Sequence, residues 1–85
     1  LKGEVASIFY TLLIINYRIE KIDAFMRVNE KLIRTTRKRY QAAEVSELDV
    51  NAAQLEYERL LQERNLVENK RITQIGKLNE LLGRN

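Results

Sequence analysis

The chain of 85 residues is 45% hydrophobic and 32% charged, carries a formal net charge of +3, and contains only three glycines. It has no cysteine and no histidine, which excludes a disulfide, a thiolate or imidazole metal site and a Cys/His nucleophile pair. The absence of proline and the scarcity of glycine leave few turn signals for a many-stranded β fold, so the composition favours long helices in one small domain.

The first half of the chain is predicted to form one long helix, about residues 3–42, with a coiled-coil seam. Apolar side chains recur at alternating spacings of three and four residues over five heptads, interrupted only by Asn29 and Thr36. The seam positions are Val5, Ile8, Leu12, Ile15, Ile19, Ile22, Met26, Asn29, Ile33, Thr36 and Tyr40. A second apolar row widens this face toward further partners, and its members are Phe9, Leu13, Phe25 and Leu32.

The seam pattern breaks at residues 43–46, where a chain reversal is predicted. Ser46 is suited to cap the next helix, with its hydroxyl accepting a hydrogen bond from the backbone N–H of Asp49 in a variant of the capping box. Residues 1–42 carry nine basic and four acidic side chains, whereas residues 43–85 carry six basic and eight acidic ones. A basic helix end followed by an acidic helix start suits the dipoles of two helices that meet at a turn.

The second half is predicted to be a helix over about residues 47–82, with Gly83 placed to end it. Polar runs at 62–65 and 68–71 make this helix less regular than the first. The expected fold is therefore all-α: a long antiparallel two-helix coiled-coil hairpin, part of a larger helical barrel. Pairing about the tip places residue i opposite about residue 88 − i. Gly76 then faces Leu12 and Leu13, and either makes room for them or is merely tolerated.

The sequence gives no indication of catalysis. Carboxylate pairs such as Glu56 and Glu63 lie two turns apart on one helix face, where a solvated salt-bridging surface explains them better than an active site. No enzyme, cofactor or metal is therefore expected. A basic group could contact phosphates, and it consists of Arg34, Arg37, Lys38 and Arg39. Acidic residues follow directly, so nucleic acid is not expected. The longest apolar stretch, 8–15, is well short of the ~20 residues that a bilayer span requires.

Three segments together resemble the TolC-like outer membrane factors, the exit channels of bacterial efflux pumps and type I secretion systems. Residues 39–50, RYQAAEVSELDV, are similar to the family's hairpin-tip pattern R-Y-x-x-G-x-[IV]-S-x-x-D-V. Residues 4–13, EVASIFYTLL, are similar to the start of the preceding helix, and residues 81–83, LLG, to the end of the following one. Ala43 replaces the tip glycine. A left-handed alanine costs about 1–2 kcal/mol, which favours a different turn or a variant partner.

The resemblance implies that residues 1–85 are a single periplasmic hairpin and a fragment of a larger channel protein. Three subunits would form a helical tunnel in the cell envelope of a Gram-negative bacterium, and only parts outside this chain would contact the membrane. The hairpin tip would dock a periplasmic adaptor protein and help to gate the tunnel. The implied docking residues are Ala42, Ala43, Glu44, Val45 and Ser46, supported by Leu48 and Asp49.

Other interpretations stay open at this point. The chain could be the hairpin of the adaptor itself, whose tip also has a Ser with an Asp shortly after, or an unrelated antiparallel coiled-coil module. A helix that binds a membrane surface or nucleic acid is a further class. The spacing from Ser46 to Asp49 and the Leu-Leu-Gly ending favour the channel. The second apolar row predicts self-association of the isolated chain, with a homotrimer in the full-length parent.

Overall fold

The computed structural model describes residues 2–83 and contains two helices joined by a short turn. Helix α1 spans Lys2–Gln41 and helix α2 spans Glu47–Gly83, and no strand occurs in the described range. The two helices run antiparallel over a length of 65 Å, with a cross-section of 14 by 14 Å. The predicted all-α hairpin is confirmed, and the helix ends lie within one residue of the predicted ones.

The core of the hairpin is one narrow seam. In α1 the buried positions recur every seven residues, at Ile8, Ile15, Ile22, Asn29 and Thr36. In α2 they recur with the same period, and they are Ala53, Leu60 and Val67. Val67 is the most buried, at 2% exposure, and it packs with Ile15, Ile22, Ile19 and Met26. A side chain of this kind contributes about 1.5–3 kcal/mol when it is fully buried, so a few layers near mid-length hold the helices together.

The second row of seam positions in α2 is polar near the middle of the helix. Tyr57, Arg64 and Arg71 are each half-buried and follow one another at seven-residue spacing. The Arg64 guanidinium donates to the carboxylate of Asp23 at 2.6 Å, and the Tyr57 hydroxyl donates to that of Glu30 at 3.1 Å. Within the polar run at 62–65, Arg64 is therefore part of the seam. Both contacts place residue i opposite residue 87 − i, one residue away from the predicted register.

Two polar side chains of α1 are buried in the seam and differ in how they are satisfied. The Thr36 hydroxyl donates to the Leu32 carbonyl of its own helix at 2.7 Å. Asn29 is 6% exposed, and its side-chain carbonyl oxygen has no hydrogen-bond partner in the described part of the chain. An unpartnered buried acceptor costs about 1–3 kcal/mol, so Asn29 weakens the hairpin at a point where the heptad pattern requires an apolar residue.

The glycine in the middle of α2 has no packing role in this hairpin. A Cβ atom built at Gly76 would meet nothing within 4 Å. The idea that Gly76 makes room for Leu12 and Leu13 is therefore wrong, because the residue is exposed.

The predicted second apolar row is exposed but divided. Phe9 and Leu13 are each 57% exposed, while Phe25 and Leu32 are 59% and 51% exposed. Phe25 and Leu32 border the groove on one side of the seam, whereas Phe9 has the heptad position on the other edge. Two separate apolar surfaces thus replace the single widened face that the sequence predicts.

Candidate docking site at the hairpin tip

The turn at the tip is a Schellman motif that ends α1. The Ala43 N–H donates to the Tyr40 carbonyl at 3.0 Å, and the Glu44 N–H donates to the Arg39 carbonyl at 2.8 Å. Ala43 has a φ of 61° and therefore occupies the left-handed region. Of the two alternatives for Ala43, a turn without a left-handed residue is therefore wrong, because the two hydrogen bonds satisfy carbonyls that the helix end leaves free and hold Ala43 in that region. A variant partner stays a prediction.

The start of α2 is closed by a reciprocal contact between Ser46 and Asp49. The carboxylate of Asp49 accepts from the backbone N–H of Ser46 at 3.2 Å and from its hydroxyl at 3.3 Å. The Asp49 N–H donates to the Ser46 carbonyl at 3.1 Å, and not to the hydroxyl as predicted. Both residues act in the capping box. The Ser46 hydroxyl is a donor there, because it donates a hydrogen bond to the Asp49 carboxylate.

Charge at the two helix ends supports the same turn. Lys38 and Arg39 lie in the last turn of α1, where the helix dipole is negative. Glu47 and Asp49 lie in the first turn of α2, where it is positive. Such charges contribute about 0.3–1 kcal/mol each at exposed positions, so they favour both helix ends at the reversal.

The predicted docking residues lie together at this end of the molecule, but their exposure differs. Ala42, Ala43, Glu44, Ser46 and Asp49 are exposed. Val45, predicted as an apolar contact for a partner, is half-buried and lines the groove between the helices. Leu48, predicted in a supporting role, is 75% exposed, which makes it the apolar side chain that the tip presents most openly.

Ion pairs along the hairpin stem form a solvated network. Arg59 donates to Glu56 at 2.6 Å and to Glu63 at 3.3 Å. The hydrogen bond from Arg59 lowers the pKa of the Glu56 carboxyl below its usual value. The hydrogen bond to the carboxylate of Glu30 raises the pKa of the Tyr57 hydroxyl. Arg59 and Glu30 are exposed and their partners are half-buried, so these contacts stabilise the helix surface without forming an enclosed site.

Within residues 2–83, no group of three or more acidic side chains could hold a metal ion. Neither α1 nor α2 contains a segment that is apolar enough to cross a lipid bilayer.

Comparison with known proteins gives no relatives. The chain matches no protein-family model, no curated protein and no solved structure. The likeness to the TolC-like hairpins therefore depends on the residues of the chain itself.

Proposed function

We propose that this chain is the periplasmic coiled-coil hairpin of a TolC-like outer membrane channel for efflux or type I secretion. Its tip docks a periplasmic adaptor protein and helps to gate the tunnel. In the full-length parent the hairpin belongs to a homotrimer in the Gram-negative cell envelope. The membrane is reached only through parts of the parent outside this chain.

The observation that carries the proposal is the backbone at Ala43. The tip pattern that residues 39–50 resemble has glycine at this position, and glycine is the residue that adopts positive φ without a steric penalty. Ala43 has a φ of 61° although it is an alanine. A non-glycine residue held in this region costs free energy, and such strain clusters at functional sites. A left-handed residue at the position where the pattern has glycine supports the proposal.

The shape of the tip suits contact with another hairpin end. Ala42 and Ala43 have the smallest side chains at the turn, so a partner backbone can approach them closely. Leu48 supplies an exposed apolar side chain, and Glu44 supplies an exposed negative charge. The hydrogen bonds between Ser46 and Asp49 fix the start of α2, so the contact surface is ordered before a partner arrives.

The experiment that tests this function places Ala43→Trp in the full-length parent. The indole would occupy the surface where the partner approaches. Normal helicity of the variant by circular dichroism would show that the turn accepts a bulky residue in the left-handed region. We expect adaptor co-purification to fall by at least about tenfold, equal to about 1.4 kcal/mol, with a matching loss of export. Glu58→Trp is the matched control, because Glu58 is exposed far along α2. Wild-type export by Ala43→Trp at normal protein abundance would refute the docking role.

A further inference from the structure

Helix α1 carries a second periodic row of residues on its exposed side. Starting at Tyr10, the positions follow one another at alternating steps of three and four residues as far as Lys38. This is the spacing of the seam, so the row lines one face of α1, and every member except Ala24 is exposed. This second row is here called the outer row.

The half of the outer row nearer the tip is entirely basic. Its members are Arg27, Lys31, Arg34 and Lys38. Each lies three or four residues from the next, and like charges at these spacings destabilise an isolated helix. The helix dipole accounts for Lys38, which lies in the last turn of α1, but the effect of the dipole falls off within that turn. The dipole therefore does not explain the other three cations.

The described part of the chain does not neutralise these four cations. No ion pair within residues 2–83 involves any of them. The acidic side chains within four residues of Arg27 are Asp23 and Glu30, and these accept hydrogen bonds from Arg64 and Tyr57 of α2 instead. The basic half thus presents a file of unpaired positive charge about 16 Å long, at about 1.5 Å of helix rise per residue.

The half of the outer row nearer the open end is apolar. Tyr10, Leu13 and Tyr17 are 69%, 57% and 59% exposed, so none of them belongs to the hairpin core. Glu20, the one acidic member of the row, lies between this half and the basic half. Apolar and basic side chains therefore occupy different ends of one face and are not interspersed along it.

We propose that the outer row binds a partner helix that lies lengthwise along α1, with carboxylates beside the basic half and apolar side chains beside the apolar half. A helix fits this surface because side chains at alternating steps of three and four residues interlock with those of a second helix. Carboxylates at the same steps would each lie between two cations of the row. They would replace the repulsion among the four cations by attraction across the interface.

The pattern of the outer row disfavours two other anionic partners. A helix that lies on a membrane surface has apolar and basic residues on opposite faces, whereas the outer row has both on the same face. The phosphate backbone of a nucleic acid duplex could pair with the basic half, but it offers no apolar surface to Tyr10, Leu13 and Tyr17. A partner helix with an acidic and an apolar half is complementary to both halves of the row.

The outer row and the seam lie on different faces of α1. A partner helix at the outer row and α2 at the seam would therefore flank α1 on two sides, as in a wall of neighbouring helices. All hairpin tips can point the same way in such a wall, so this interaction is compatible with the proposed channel. It does not depend on the docking function of the tip.

Binding of a synthetic peptide to the 85-residue chain tests the proposed partner. The probe is a labelled helical peptide that carries four glutamates and then three leucines on one face, at alternating steps of three and four residues, over alanine and glutamine. A single helix can lie in either direction, so one order of the two blocks suffices. By fluorescence anisotropy at low salt, we expect its dissociation constant to be at least about tenfold lower than that of a peptide of the same composition with the glutamates spread around the helix.

Variants of the chain locate the binding surface. Arg27→Glu combined with Arg34→Glu should raise the dissociation constant of the matched peptide by at least about tenfold. Lys70→Glu combined with Lys77→Glu is the matched control, because it changes the net charge equally at exposed positions of α2 and should leave the binding unchanged. Leu13→Gln keeps the charge and should weaken binding about threefold or more, since the apolar half is part of the surface.

Three outcomes would overturn the proposal. The first is equal binding of the matched and the rearranged peptide, which would indicate attraction to any polyanion. The second is equal loss of binding in the Lys70→Glu, Lys77→Glu control and in the Arg27→Glu, Arg34→Glu variant. The third is tighter binding of a DNA duplex or of phosphatidylglycerol vesicles than of the matched peptide, when that binding is lost in the Arg27→Glu, Arg34→Glu variant. None of these results bears on adaptor docking, which is measured with Ala43→Trp in the full-length parent.

Discussion

Replacing Ala43 by glycine tests whether the tip is strained as its backbone indicates. Ala43 holds a φ of 61° at the end of the Schellman motif. Releasing a left-handed alanine recovers about 1–2 kcal/mol in the folded state. Glycine also gains entropy in the unfolded chain, which costs about 0.4–1 kcal/mol. The net expectation for Ala43→Gly is a gain of about 1 kcal/mol in the free energy of unfolding.

The assay is thermal and urea unfolding followed by circular dichroism at one protein concentration. For a domain of this size a gain of about 1 kcal/mol raises the Tm by about 4–8 °C. Ala42→Gly is the matched control, since Ala42 is the neighbouring alanine and lacks a positive φ. It should lower the free energy of unfolding by about 0.5–1 kcal/mol, because glycine loses more conformational entropy on folding than alanine and relieves no backbone strain at this position. A lower Tm for Ala43→Gly, or equal effects at both positions, would refute the argument from strain.

Three further experiments test the seam and the helix surface. Asn29→Leu removes the unpartnered buried carbonyl oxygen, so the free energy of unfolding should rise by about 1–3 kcal/mol in urea titrations, and a fall would contradict the burial argument. Gly76→Ala should add about 1 kcal/mol, since its Cβ would meet nothing within 4 Å, and a loss would indicate a close contact there. A double-mutant cycle of Asp23→Ala and Arg64→Ala should give a coupling of about 0.5–1 kcal/mol that weakens with salt, and zero coupling at low salt would exclude this pair as a seam contact.

The helices and the buried stripe of α1 could be predicted because their signal is local and periodic. A heptad pattern specifies which residues share a face, whatever their chemistry. Asn29 and Thr36 were therefore placed correctly in the seam although they are polar, and both are buried. The same pattern predicted the reversal, since it stops where α1 ends.

The seam of α2 was harder to predict because its polar residues are long. The aliphatic part of the Arg64 side chain lies at the interface while its guanidinium reaches Asp23. A residue that is classed as polar therefore occupies a seam position. The one-residue difference in register is visible in the pairs that Asp23 and Glu30 make across the seam. Hydrophobic periodicity along one helix contains no information about which residue of the other helix lies opposite.

The details of the tip depend on geometry that residue preferences do not contain. Preference alone disfavours a left-handed Ala43, but the hydrogen bonds that end α1 require that conformation. Val45 and Leu48 are both apolar, and only the path of the turn decides that the first faces the groove and the second faces outward. The Asp49 carboxylate accepts a hydrogen bond from the Ser46 hydroxyl because the two groups lie 3.3 Å apart.

The most direct test of the proposed channel hairpin is the sequence of the reading frame that encodes these residues. The proposal predicts a signal peptide upstream, a second and unlike hairpin in the same chain, and alternating apolar strands of an outer membrane barrel. A frame that encodes an adaptor with a single hairpin, or one without barrel strands and without a second hairpin, would contradict it.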